Sequence, residues 1–76
     1  MESQDVIWVK WSQASKTWYV KRERELCVDS HYGVKLSAIV RARMLAKMYQ
    51  ADVFVLDNQG DVVEFIGAES NSTPST

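Results

Sequence analysis

The sequence predicts an α+β fold, with one helix packed on one face of a single, mainly antiparallel sheet of four to five strands. Two observations lead to this prediction. Residues 34–50 form one long stretch with helical periodicity and with no glycine or proline inside it. The segments on either side are short, rich in β-branched and aromatic residues, and bounded by polar turns, as strands are. The order β-β-(β)-α-β-β is satisfied most simply by one sheet that carries one helix.

The first part of the chain predicts a hairpin and a short third strand. Residues 6–11 and 17–22 are two β-branched and aromatic runs, and the polar loop at residues 12–16 joins them. An antiparallel hairpin is therefore expected. Residues 23–25 are charged and typical of a turn, and residues 26–29 are predicted to form the third strand.

Two apolar stripes follow the predicted helix, which Gly33 precedes as a turn residue. The inner stripe is predicted to face the core and comprises Ala38, Ile39, Ala42, Leu45, Ala46 and Tyr49. The outer stripe lies largely on the opposite side and comprises Leu36, Val40, Met44 and Met48. A surface helix is normally polar on that side, so the outer stripe needs an explanation.

The last part of the chain predicts a second hairpin. Residues 52–56 and 61–66 are apolar runs, and the DNQG turn at residues 57–60 joins them. Residues 67–76 lack large apolar side chains and predict a disordered tail, and residues 1–5 are polar and are expected to fray.

Length and composition limit the class of protein. With 76 residues the chain makes a single domain, predicted over residues 1–66. The net charge of −1 disfavours non-specific nucleic-acid binding, which usually needs a clearly basic domain. Cys27 is the single cysteine, so no internal disulfide is expected. Without a signal pattern or an apolar run of membrane-span length, the expected location is the cytoplasm and no membrane partner is expected.

Several motifs between residues 17 and 65 carry a resemblance. They are a W-x-V-K-R strand, a K-x-x-A-I-x-x-A-R-x-L-A-K helix, a short strand that begins A-[DE], a D-x-G-type turn and a final strand that ends in glutamate. The matching positions are Trp18, Val20, Lys21, Arg22, Lys35, Ala38, Ile39, Ala42, Arg43, Leu45, Ala46, Lys47, Ala51, Asp52, Val53, Val55, Gly60, Val62 and Glu64. In these motifs the chain resembles a family of short, functionally uncharacterised bacterial ββαββ domains. The resemblance implies a fold and no activity.

The chain departs from that family pattern by carrying more apolar residues than one helix can cover. If Val53, Val55 and Val62 face the helix, alternation places their neighbours on the open face of the sheet. The open-face residues are Tyr19, Phe54, Leu56, Val63 and Phe65. Either Trp8 or Trp11 must join them, depending on the register of the first strand.

Contiguous exposed apolar surface is uncommon in monomers, so the open face is predicted to be an interface. This interface could join two copies of the chain by stacking their sheets, or it could bind another protein. The alternative is that the N-terminal strand or the C-terminal tail covers this face. The outer stripe is a second candidate, since methionine is common at binding surfaces. Its simpler interpretation places Leu36 and Met48 at the core margins.

A basic and aromatic cluster supports a different function, in which bases of a nucleic acid stack on aromatic side chains of the sheet. The residues that would carry this alternative are Tyr19, Lys21, Arg22 and Arg24. The simpler interpretation is solvated charge that is partly paired with Glu23 and Glu25. The low net charge favours that interpretation and disfavours nucleic acid as a partner.

Catalytic and metal-binding patterns are sparse. Cys27 and His31 form a lone C-x-x-x-H, whereas a zinc site needs about four ligands. There is one histidine and no glycine-rich phosphate loop, so we expect neither catalysis nor a cofactor. The sequence favours a non-enzymatic protein-binding module, dimeric, that acts as a regulator or inhibitor of a bacterial or phage-related target.

Overall fold

A computed structural model of the chain describes residues 5–68. Its elements are β1 (Val6–Ser12), β2 (Thr17–Arg22), β3 (Ser30–Tyr32), α1 (Lys35–Tyr49), β4 (Asp52–Leu56) and β5 (Val62–Ile66). The predicted tail at residues 67–76 falls outside the described residues except for its first two positions. The predicted helix is confirmed, with Val34 and Gln50 as its two caps.

The five strands form one mixed sheet in the order β3-β2-β1-β4-β5. Three of the neighbouring pairs are antiparallel, and β1 and β4 are parallel. The parallel pair arises because α1 connects β3 to β4 across the sheet, and parallel strands need such a crossover. The predicted α+β class, with one helix on one face of a mainly antiparallel sheet, is confirmed.

The third strand was predicted in the wrong place. It lies at Ser30–Tyr32 instead of residues 26–29. Tyr32 sets the position, because it pairs with Trp18 and packs against the core. Leu26, which favoured the earlier position, is 96% exposed in the loop.

The core lies between α1 and the covered face of the sheet. The helix contributes small residues, so its backbone can approach the strands closely. The buried residues of this core are Ile7, Val9, Val20, Ala38, Ala42, Leu45, Ala46, Ala51, Val53 and Val55. The inner stripe is therefore confirmed, with Ile39 partly buried against the core and Tyr49 at its exposed margin.

The expectation that residues 1–5 fray is wrong for Asp5, and residues 1–4 lie outside the described residues. The side chain of Asp5 is buried, and its Oδ2 atom accepts a 2.8 Å hydrogen bond from Nε of Arg22 and lies 2.8 Å from Nη2 of the same guanidinium in an ion pair. The other carboxylate oxygen accepts the backbone N–H of Val6 at 2.9 Å. Its backbone carbonyl accepts the N–H of Asp52 at 3.2 Å. A buried carboxylate with these partners holds the start of β1 in place.

The two stripes of α1 predict opposite responses to truncation. Leu45→Ala removes a buried side chain and should lower the free energy of unfolding by about 2–5 kcal/mol. Met44→Ala removes an exposed side chain next to it and should change that free energy by no more than about 0.5 kcal/mol. Urea unfolding of both variants measures the difference. Equal losses would contradict the orientation of the helix.

Candidate protein-binding surfaces

An aromatic row crosses the open face of the sheet. Its members are Trp8 of β1, Phe54 of β4 and Phe65 of β5, which lie opposite one another in the register. Trp8 and Phe54 are stacked, with ring centroids 5.1 Å apart and an interplanar angle of 24°. Phe54 and Phe65 follow at 5.0 Å. The row makes this part of the open face apolar and continuous.

The same face becomes polar towards β2 and β3. Tyr19 lies opposite Lys10 on one side and His31 on the other. The His31 Nδ1 atom is 3.0 Å from the hydroxyl of Thr17, and the Lys10 ammonium lies 5.2 Å from the centre of the Trp8 ring. Tyr19 is half-buried among these groups. The apolar part of the open face is therefore its β4–β5 end.

β5 is the least covered strand. It forms one edge of the sheet, and α1 packs over the other four strands. Val62, Val63 and Phe65 are each more than half exposed. Natural proteins usually protect an edge strand with charge, proline or a covering element, and here the exposed positions are largely apolar. This strand is the most prominent apolar edge in residues 5–68.

Leu56 was predicted on the open face and is only 9% exposed. Leu56 lies at a register shift, where β5 carries an extra residue and Val62 lies opposite Leu56. A bulge of this kind interrupts the alternation of β5, the strand that pairs with β4. Leu56 therefore offers little surface to a partner. Val62, predicted to face the helix, lies next to this bulge and is exposed.

The whole outer stripe lies at the surface. Leu36 and Met48 are 66% and 64% exposed, and Val40 and Met44 are each 53% exposed. The interpretation that Leu36 and Met48 lie at the core margins is therefore wrong. The stripe is on the side of the molecule away from the open face of the sheet, so the two apolar surfaces are separate.

The predicted basic and aromatic cluster is divided between the two faces. Arg22 lies on the helix side, where its guanidinium carbon is 3.7 Å from the centre of the Tyr49 ring. The hydrogen bond that Arg22 donates to Asp5 raises the pKa of its guanidinium. Lys21 lies on the open face and donates a 2.6 Å hydrogen bond to the carbonyl of Glu25. The Lys21 ammonium also donates to the backbone carbonyl of Arg22 at 3.2 Å, but the two side chains lie on opposite faces of the sheet.

A cleft of about 380 Å³ lies beside the C-terminal half of α1, with Arg22, Arg41 and Asp29 in its wall. Arg41 donates to both carboxylate oxygens of Asp29, at 2.9 and 3.3 Å. This pairing lowers the pKa of Asp29 and raises that of Arg41. Both arginines are thus occupied by carboxylates. The cleft has no free positive charge from them for an anionic ligand.

The described residues also bear on metal binding and on membrane spanning. Within residues 5–68, no group of three or more His, Cys, Asp or Glu side chains could hold a metal ion. The helical structure of the same residues is too short and too polar to cross a membrane.

The sequence left one position on the open face undecided. The choice between Trp8 and Trp11 is decided in favour of Trp8, whose indole also donates a 2.7 Å hydrogen bond to Glu23. Trp11 instead meets Trp18 edge-on at 5.1 Å. The buried aliphatic residues Ile7 and Val9, which alternate with Trp8, are the signal that could have identified it.

Comparison with protein-family models, curated proteins and solved structures found no match to this chain. The resemblance to short bacterial ββαββ domains therefore stays a prediction.

The Asp29–Arg41 ion pair predicts an acid-dependent stability change. Because the fold lowers the pKa of Asp29, the pair contributes fully above the ordinary value of 3.8 and is lost as the pH falls through the lower folded value. Asp29→Asn should cost less than about 1 kcal/mol at neutral pH, since the pair is partly exposed. The gap from the parent should close in strong acid. Urea unfolding at several pH values measures it, and a constant gap would contradict the pairing.

Proposed function

We propose that this chain is a non-enzymatic protein-binding module that self-associates through the β4–β5 end of its sheet. One observation carries the proposal: β5 is an edge strand with exposed apolar side chains, and it continues into the aromatic row. An apolar edge and an apolar face that meet at one place are typical of an interface.

A second copy of the chain is a suitable partner for this end of the sheet. In a two-fold dimer the same patch lies on both sides of the interface. Two open faces would stack with the aromatic row of each copy against that of the other, at the spacing of about 10 Å between packed sheets. Lys10 and Lys21 would then lie at the polar rim, where charge is tolerated.

The strength of self-association can be bounded. Completing the burial of a half-exposed valine or phenylalanine contributes about 0.8–1.5 kcal/mol, so the six such side chains of two copies contribute about 5–9 kcal/mol. Association costs about 4–15 kcal/mol in lost freedom of motion. These terms are similar in size, so the expected dimer is reversible and concentration-dependent.

The role that follows is regulatory. A small cytoplasmic module that dimerises on one face keeps its outer stripe free to cover a surface of a larger protein. This arrangement fits a regulator or inhibitor, of the kind expected for a bacterial or phage-related target.

Catalysis has weaker support. Thr17 and His31 form a hydroxyl–imidazole pair at 3.0 Å, which is one part of a nucleophilic site. The pair lies on an exposed sheet surface, and the other nitrogen of His31 has no hydrogen-bond partner in the described part of the chain. A nucleophilic site needs a third group that orients its base.

Replacing an exposed apolar residue of β5 by a charge should abolish the dimer. Val63→Asp and Phe65→Asp place a carboxylate in the proposed interface, and burial of an unpaired charge is costly. Light scattering after size exclusion should give twice the chain mass for the parent at high concentration and the monomer mass for both variants. Leu26→Asp is the matched control, since it adds the same charge at an exposed leucine in the loop. A parent that stays monomeric, or a control that also dissociates, would contradict the proposal.

One observation keeps nucleic acid as a second candidate. Tyr19, Lys10 and Lys21 share the open face with Trp8, so bases and phosphates could both be contacted there. Phosphate contacts would make the affinity fall steeply with salt, and Lys10→Ala or Lys21→Ala would flatten that dependence. Titration of a single-stranded oligonucleotide at several salt concentrations measures this. We expect negligible affinity at physiological salt, and tight binding that both variants weaken would favour the second candidate.

A further inference from the structure

The outer stripe of α1 is a single ridge. Its members, Leu36, Val40, Met44 and Met48, follow one another at intervals of four residues, and all are more than half exposed. Such a row is inclined to the helix axis and forms the ridge that fits between side chains of a second helix, with the two axes crossing at roughly −50°.

The charge around this ridge has one sign. The helix carries Lys35, Arg41, Arg43 and Lys47 and no acidic side chain. Lys35 lies over the ring of Trp18, and Arg41 is paired with Asp29. Arg43 and Lys47 are exposed and make no ion pair within residues 5–68.

The two unpaired basic residues flank the ridge along one side. Arg43 follows Val40 by three residues, and Lys47 follows Met44 by three, so each charge lies beside an exposed apolar side chain. The chain as a whole has a net charge of −1, so this basic edge is a local feature and not a consequence of composition.

We propose that the outer stripe binds an acidic amphipathic helix of a partner protein. The apolar side of that helix would pack on Val40, Met44 and Met48, and its carboxylates would reach Arg43 and Lys47. Methionine adapts its side chain to different partners, which suits a surface that receives an incoming helix. This inference rests on the proposed function, since it names the class of the target that a regulatory module would bind.

A second copy is a poor occupant of the same ridge. A two-fold axis near the middle of α1 would bring the Arg43 side chains of the two copies close together, and like charges in an interface are unfavourable. Self-association is therefore assigned to the sheet and target binding to the helix.

An anionic membrane surface is also less suitable. Recognition of anionic lipid usually takes a cluster of about four to eight basic residues. The ridge has two free ones, and it lacks the aromatic side chains that anchor interfacial helices.

The test uses the full chain and two labelled synthetic peptides. Both peptides carry leucine on one helical face, and the other face carries glutamate in one peptide and lysine in the other. Fluorescence anisotropy should show the acidic peptide binding about tenfold more tightly than the basic one, because two exposed charge pairs form instead of two repulsive contacts. The double variant Arg43→Glu/Lys47→Glu should invert the preference, and Met44→Asp should abolish binding of the acidic peptide.

Controls separate this inference from the proposed dimer. Val63→Asp should leave peptide affinity unchanged, and Met44→Asp should leave the dimer unchanged, so either proposal can fail alone. Circular dichroism confirms that each variant stays folded. Equal binding of the two peptides, no binding of either, or a preference that survives charge reversal would overturn the inference. So would binding of the parent to phosphatidylglycerol-containing vesicles with no binding of the acidic peptide.

Discussion

One helix is narrower than the five-stranded sheet on which it packs, and the rest of this structure depends on that difference in width. A helix with its side chains is about 10–12 Å across. Five strands spaced by about 4.8 Å extend over roughly 19 Å between the edges. The single helix therefore cannot cover both faces, or even the whole of one face. The open face and β5 remain uncovered, and the side chains at the β4–β5 end are largely apolar.

The core meets this constraint by being small and tightly packed. Alanines on the inner stripe allow α1 to lie close to the valines of the sheet. Arg22 closes the margin of the core, since it contacts Tyr49 on one side and the buried carboxylate of Asp5 on the other. The inner side of the helix is therefore buried against the sheet, and its outer side is exposed. The outer stripe of α1 and the open face of the sheet are two apolar surfaces that face away from each other. Under the proposed function, one of these surfaces would hold a second copy while the other binds a target.

The features that the sequence predicted correctly were those that depend on the regular spacing of apolar residues. Helical period separated the inner stripe from the outer stripe, and strand alternation placed Phe54 and Phe65 on the open face. The predictions that were wrong concern residues whose positions depend on contacts between distant segments of the chain. The place of β3 depends on Tyr32 packing across the sheet, and Leu56 lies opposite a bulge in its partner strand. The position of Arg22 depends on Asp5, which lies 17 residues earlier and looked like part of a frayed end.

The central claim is that the uncovered β4–β5 end of the sheet is where the chain meets another copy. Nuclear magnetic resonance spectra of isotope-labelled protein, recorded from micromolar to millimolar concentration, test it most directly. We predict concentration-dependent shifts of the backbone amides of β4 and β5 and of the Trp8 indole, with no change along the outer stripe of α1. Spectra that do not change with concentration, or shifts confined to α1, would contradict this claim.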